Sequence, residues 1–234
     1  MNWLERLDEL WPGDGQHIET LSDRWKQARR GRLTASGAAH IIPKYTERGI
    51  ASLVKKLRRE MEPGWEWSEL DLPQLNWGRD HEKAAIAHIE LALGVDMPEP
   101  GMLFHPDRPY CSATPDGLID GNISVQIKCP HSRNIHLDYF YNRPILRVGP
   151  RGGRDKYWFQ TQWEAWVSGA EEILFATFDP EQPAATKLGI VEVPVDHAMY
   201  ELFEKNCDRF KNFFEGGVST SPGKVVPEGI PLLF

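Results

Sequence analysis

The chain has 234 residues, long enough for one domain with a sizeable core, and 41% of them are apolar, with nine Trp among the aromatics. This composition excludes a disordered chain, and no apolar run approaches the about 18–20 residues of a membrane-spanning helix. The net charge of −7 argues against a nucleic-acid binder only until its distribution is considered. Between Arg24 and Arg59 eleven Lys/Arg stand against a single acid, Glu47, and between Arg143 and Lys156 five bases stand against Asp155. The remainder is strongly acidic. A basic surface for phosphates beside an acidic metal site is one economical reading; solvated basic helix faces are the other. Cys111, Cys129 and Cys207 are scattered and odd in number, with no paired spacing for zinc and no sign of a disulfide framework. No signal-type leader opens the sequence, so a reducing cytoplasm is the expected compartment.

Taken in order, residues 1–18 carry Trp3, Leu4, Leu7, Leu10 and Trp11 at the spacing of a short amphipathic helix that ends before Pro12. Thr20 or Ser22 can cap a helix running to about Arg30 and stopped by Gly31, and the Thr34–Ser36 stretch begins a second. Residues 49–60 read as a basic amphipathic helix with Ile50, Leu53, Val54 and Leu57 inward. Residues 61–75, rich in Trp, Pro and acids, read as a loop. Trp77 to Leu93 is a helix ended by Gly94; its His81 and His88 lack a Cys or His partner at ligand spacing and read as structural or solvated. Gly101–His105, Tyr110–Ala113 and Ile123–Lys128 read as strands of a mixed sheet. Residues 142–154 form a Gly/Pro/Arg-rich loop suited to tracking a phosphate backbone. Asp155–Val167 is a helix ended by Gly169, residues 172–179 and 188–195 are strand-like, and Asp196–Phe214 is an amphipathic helix. A tail with three prolines follows, ends Pro-Leu-Leu-Phe, and is apolar enough to dock on another subunit. The expected fold is α/β, a central mixed β-sheet flanked by helices. It forms a single domain over 1–234, with a core about 20–195 and a C-terminal helix and tail 196–234.

The chemistry concentrates between Ser112 and Pro130. Asp116 sits in a Pro-Asp-Gly turn, and Ile123, Val125 and Ile127 alternate with Ser124, Gln126 and Lys128. Strand periodicity puts Gln126 and Lys128 on one face, opposite the isoleucines. A turn carboxylate, an amide oxygen and an ammonium then converge, which suits Mg²⁺-dependent phosphodiester hydrolysis. Taken alone, Asp-Gly is also ordinary turn chemistry and Lys128 an ordinary solvated strand residue.

Five segments extend the pattern: Arg-Leu-Thr-Ala-Ser (32–36), Asn-Trp-Gly-Arg-Asp-His-Glu (76–82), Ala-Thr-Pro-Asp-Gly-Leu (113–118), Gln-Ile-Lys-Cys-Pro (126–130) and Gln-Thr-Gln-Trp (160–163). In this order they resemble the lambda-phage exonuclease family, the YqaJ-type viral recombinases of the PD-(D/E)XK nuclease superfamily, over roughly residues 20 to 180. The resemblance implies a restriction-endonuclease-like core. It implies a 5′→3′ exonuclease that degrades one strand of linear double-stranded DNA to 5′-mononucleotides and leaves 3′ overhangs. Two Mg²⁺ ions, replaceable by Mn²⁺, would lie at Asp116, position 126 and the Ile127 carbonyl. Lys128 would orient the water, with Glu82 on a helix near the metals and Gln160 beside the scissile phosphate. Arg29, Ser36, Thr114 and Arg133, the last one residue out of register, match positions that hold the 5′-phosphate. Leu75 matches a leucine that wedges open the end, and Asp107 falls one residue short of an acidic position. The implied partners are double-stranded DNA ends, a homotrimer ring and a single-strand annealing recombination protein, in a bacterial host cell.

One departure stands out. The family pattern is Glu-x-Lys, and this chain has Gln126. An amide offers an oxygen without charge and should bind Mg²⁺ more weakly than a carboxylate. A natural site with a tuned ligand and an inactivating Glu→Gln change both account for it; the sequence does not separate them, and the expectation leans to the second. The rival functions are a DNA-end-binding protein that no longer cuts, a site-specific endonuclease on the same core, and a structural protein with a decorative motif.

Overall fold

The computed structural model describes residues 16–41, 47–67, 72–148 and 154–215. The apolar residues of the expected first helix, residues 149–153 of the basic loop and the tail from 216 lie outside the described residues.

Helix α1 (Asp23–Arg29) starts where Ser22 Oγ accepts from the Trp25 N–H at 3.1 Å. Strand β1 (Leu33–Thr34) follows, then a 3-10 stretch, Ala35–Ile41, where the sequence suggested an α-helix. Helix α2 (Glu47–Glu60) buries Val54 and Leu57 as its spacing predicts. Helix α3 (Pro73–Leu93) opens a turn earlier than expected, because Pro73 stands in the first turn, where its missing N–H costs nothing. Leu75 is therefore helical and not part of a loop. The remaining strands are β2 (Leu103–His105), β3 (Arg108–Ala113), β4 (Gly117–Ile119), β5 (Ile123–Lys128), β6 (Glu172–Phe178) and β7 (Leu188–Glu192). The remaining helices are α4 (Arg133–Leu137), α5 (Lys156–Ser168) and α6 (His197–Phe214). Gly94 and Gly169 end α3 and α5 with φ of 68° and 75°, the left-handed cap that glycine adopts without steric cost.

The protein is α/β with mixed sheets flanked by helices, and its strands divide into two groups. One sheet runs β1-β3-β2, the other β4-β5-β6-β7, with β1/β3 and β5/β6 parallel and the other pairs antiparallel. Helix α5 packs against β2 and β3 of the first sheet and β5 and β6 of the second. Its sequence allows this because it is buried nearly all round, from Trp158 through Thr161–Val167. Trp163 is fully buried, and its indole N–H donates to the Ser112 carbonyl at 2.9 Å, tying α5 to β3. On the far face of the second sheet, Ala85 and Ile89 of α3 pack with Val125, Ile127 and Phe178. Strand β5 is thus covered on both faces, and Ser124, Val125, Gln126 and Ile127 are all buried. No described helix is long and apolar enough to cross a membrane.

Candidate active site

Asp116 ends the turn that leads into β4. Its N–H donates to the Val125 carbonyl at 3.0 Å, and its Oδ2 accepts from the Ile127 N–H at 2.6 Å. The carboxylate takes the place of a ladder carbonyl, so the backbone of β5 fixes it. Gln126 Nε2 donates to the same Oδ2 and to the Ile127 carbonyl at 3.2 Å. Gln126 Oε1 accepts from Gln160 Nε2 of α5, and that nitrogen also donates to Glu164 Oε1 at 2.9 Å, one helical turn on. A polar line results, half-buried at Asp116 and Gln160 and buried at Gln126 and Glu164. Gln126 is 2% exposed and Glu164 1%. Lys128 closes the strand with its ammonium 5.1 Å from the centre of the Tyr157 ring.

The electrostatics are those of crowded carboxyls around one ammonium. Burial, then repulsion from Asp116, pushes Glu82 on α3 up to about 7, with Lys128 opposing and Glu99 adding. Burial raises Asp116, against the pull of Lys128, the Ile127 N–H and the Gln126 amide. Burial, then Asp116, raises Glu164 well above the usual carboxylate range, with Gln160 and Lys128 opposing. Each of these carboxyls would be relieved by a cation.

Among the described residues no three His, Cys, Asp or Glu side chains gather on one point. A cation beside Asp116 therefore depends on carbonyl oxygens. Asp116 Oδ2 and the Ile127 carbonyl converge, and the Gln126 NH₂ group stands between them, satisfying both. With that amide turned over, its oxygen would join two other hard oxygens, a donor set that fits Mg²⁺. Glu164 Oε2, buried with no hydrogen-bond partner among the described residues, is a further carboxyl oxygen, one residue removed from Gln126 through Gln160.

A cavity of about 830 Å³ opens in front of Asp116, lined also by Glu82, Glu99, Thr114, Leu75, Trp67 and Arg29. Arg29 is shared with a smaller cavity of about 370 Å³ that Thr34, Ser36 and Lys56 line. Its guanidinium lies 4.6 Å from the Trp67 ring centre and 5.3 Å from that of Trp25. It donates to Thr34 Oγ1 at 3.5 Å, and Thr34 and Ser36 share a hydrogen bond of 3.2 Å. Thr114 Oγ1 accepts from the Trp25 indole at 3.0 Å, which leaves its own O–H to donate elsewhere.

The fold thus brings together Asp116, Gln126, Lys128, Gln160 and Glu82, and places Arg29, Ser36, Thr114 and Leu75 around the adjoining cavities. Leu75 is 46% exposed at the cavity wall. Two candidates stand apart. Arg133 is exposed at the start of the five-residue α4 and lines neither cavity. Asp107 is exposed on the β2–β3 turn, its N–H donating to His105 Nδ1 at 3.2 Å. His81 packs edge-on to Trp77 and His88 bonds the Ala84 carbonyl, in keeping with structural roles. The three cysteines are free and buried. Glu99, Trp67 and Glu164 were missed. Glu164 had a signal: it is the one acidic residue in α5, and it follows Gln160 at the i,i+4 spacing that shares a helix face.

A family model described as a YqaJ-like viral recombinase domain matches residues 24–171. No curated protein matches the chain. Among solved structures, an alkaline exonuclease from Laribacter hongkongensis is 22% identical with a TM-score of 0.69, over 83% of this chain and 93% of that one. A complex of that protein with dAMP aligns equally well. A phage related exonuclease from Haemophilus somnus 129PT is 10% identical with a TM-score of 0.58, over 79% and 94%. At these identities the likeness is one of fold.

Proposed function

Because the chain belongs to the YqaJ-like viral recombinase family, whose matched segment holds Asp116, Gln126, Lys128 and Gln160, we propose that it is a phage-type, divalent-metal-dependent exonuclease. Its substrate is linear double-stranded DNA, which it degrades from the 5′ end to 5′-mononucleotides, leaving a 3′ overhang. The observation that carries this reading is the meeting of Asp116 Oδ2, the Ile127 carbonyl and the Gln126 amide, with Asp116 itself lining a cavity that Arg29 also lines.

Mg²⁺, two ions in the family reading and replaceable by Mn²⁺, would be held by Asp116, the Ile127 carbonyl and the Gln126 oxygen, and would supply an acidified water and charge on the phosphate. The protein's own groups do the rest. Lys128 donates to the attacking water or to a non-bridging phosphate oxygen. Glu82, titrating near neutrality, accepts the proton that the water gives up. Gln160 holds Gln126 from the α5 side in the metal-free arrangement and keeps its bond to Glu164 when that amide turns over. Arg29, Ser36 and Thr114 grip the 5′-phosphate that each cut regenerates, since a guanidinium fork and hydroxyls match its oxygens. Leu75, apolar and exposed, parts the last base pair. Arg133 lies outside this pocket. A homotrimer threaded by DNA, working beside a single-strand annealing protein in a bacterial host's cytoplasm, completes the proposal.

The test is incubation with Mg²⁺ and either 5′-phosphorylated linear duplex or closed circular DNA. Linear DNA should fall to mononucleotides while circles survive, and Asp116→Asn should cut at least about a hundredfold more slowly, roughly 2.7 kcal/mol of barrier. Cut circles would favour a site-specific endonuclease. Retention of ends without cutting at any Mg²⁺ or Mn²⁺ concentration would favour an end-binding protein, the reading that the satisfied Gln126 amide supports.

A further inference from the structure

Gln126 leaves the site one carboxylate short of the Glu-x-Lys pattern, and the structure offers another nearby. Glu164 lies in α5 one turn beyond Gln160 and is 1% exposed. Its Oε1 and the Gln126 oxygen accept from the same Gln160 nitrogen, so the two side chains are neighbours across a single atom. Its Oε2 has no hydrogen-bond partner among the described residues. A carboxyl buried beside one amide, with half its acceptor capacity unused, is expensive to keep unless something positive is to meet it. Asp116 and Lys128 are close enough to act on it electrostatically, which puts it in the same field as the Asp116 carboxylate.

We propose that Glu164 is the second carboxylate of the cation site, supplying from helix α5 the charge that position 126 lacks on strand β5. The inference rests on the exonuclease reading for the presence of the cation. It replaces damage with relocation as the account of Gln126. A carboxylate at 126 serves from the strand; Gln126 lets Gln160 bridge to a carboxylate on the helix instead. The total charge of the site is then the same as with Glu at 126 and a neutral residue at 164. Two consequences separate this from an inactivated site. Gln126→Glu alone places a further negative charge among Asp116, Glu164 and Glu82, so it brings no large gain in cleavage. The two positions also exchange their charge.

The experiment is Mn²⁺ binding to the full chain, read by electron paramagnetic resonance, for the native protein, Asp116→Asn, Glu164→Gln, Gln126→Glu and the double exchange Gln126→Glu/Glu164→Gln. Glu164→Gln should weaken Mn²⁺ binding by about 10–100-fold, the usual range for removing a group that supports a metal. The double exchange should restore most of that loss, while Gln126→Glu alone should gain little. Thermal unfolding of the metal-free variants checks that Glu164→Gln, which keeps the shape and the acceptor, is folded. If it is not, the comparison of the double exchange with the native protein decides: similar affinity supports the exchange, and a tenfold difference overturns it. Unchanged Mn²⁺ affinity in folded Glu164→Gln, with Asp116→Asn impaired, overturns the proposal even if the protein digests DNA. Charge exchange in binding without any DNA cleavage upholds Glu164 and sinks the exonuclease reading. A native chain that binds no Mn²⁺ overturns Glu164 as well.

Discussion

Burial on α3, then the nearby Asp116 and, more weakly, Glu99, push the Glu82 carboxyl up to about 7, against the pull of Lys128. Its folded pKa, about 7, lies above the ordinary 4.5, so the folded protein binds the extra proton in that interval. The stability associated with this protonated form is fully present below pH 4.5 and is lost as pH rises to about 7. Glu82→Gln should therefore stabilise the metal-free protein at pH 8, by on the order of 2 kcal/mol, and change little at pH 4. Urea unfolding with a chelator present at the two pH values checks this, and an equal effect at both would show that Glu82 is not the titrating group. A second residue prediction concerns the end of the DNA. Arg29→Ala should weaken attack on 5′-phosphorylated ends by about 1.5–3 kcal/mol, the worth of a charged hydrogen bond, and spare 5′-hydroxyl ends. Equal loss on both ends, measured as initial rates, would reduce Arg29 to a packing partner of Trp25 and Trp67. At this scale Asp116, Gln126 and Lys128 were legible because a turn and a strand alternation are local. Glu164 was not, since its meaning depends on which side of α5 meets β5.

Among the elements, α5 decides the most. It stands between the two sheets, and its bounds were readable to within a residue, although Asp155 proves to be its cap and not its first residue. That it is covered on every side was not readable, because its mixture of Trp, Gln and Glu has no clean apolar stripe. Trp163→Ala should cost about 3–5 kcal/mol of stability, through a cavity and an unpaired Ser112 carbonyl. Denaturant midpoints measure this; a cost below about 1 kcal/mol would mean that the sheets hold together without the helix. The loop expected over residues 61–75 holds for 61–67, and its end was misread for the opposite reason. Its Pro and acids look irregular, yet Pro73 is a first-turn proline and starts α3. Helix α4 and the single π-turn Asp138–Asn142 escaped notice because so short a segment shows no period.

For the whole molecule, the uneven charge is the feature to explain. Arg29 and Lys56 line both cavities, Arg32 the smaller one, and Asp116, Glu82 and Glu99 the larger one beside Arg79 and Lys83. Under the exonuclease proposal, the bases common to both cavities would draw a phosphate chain toward these carboxyls. The expectation that copies assemble around the DNA is tested by equilibrium sedimentation, where a ring of three gives about three times the 26.8 kDa of the chain. Only monomer at micromolar concentration would count against it. The class of fold was visible in the order of elements, and the split into two sheets was not. Strand pairing joins β1 to β3 across 78 positions of sequence, Leu33 against Cys111, and nothing in either segment announces the other.

The Gln126 amide adds a matter of timing. It rests in the seat between the Asp116 carboxylate and the Ile127 carbonyl, so under the metal-dependent proposal the protein would hold a tethered competitor for its own activator. An ion can enter only during the fraction of time that the tether has swung aside, and the measured affinity is the intrinsic one reduced by that fraction. Mixed rapidly with excess Mn²⁺, the protein should then fill at a rate that levels off at the amide's own turning rate. A rate that climbs in proportion to Mn²⁺ without limit would show the seat to be open.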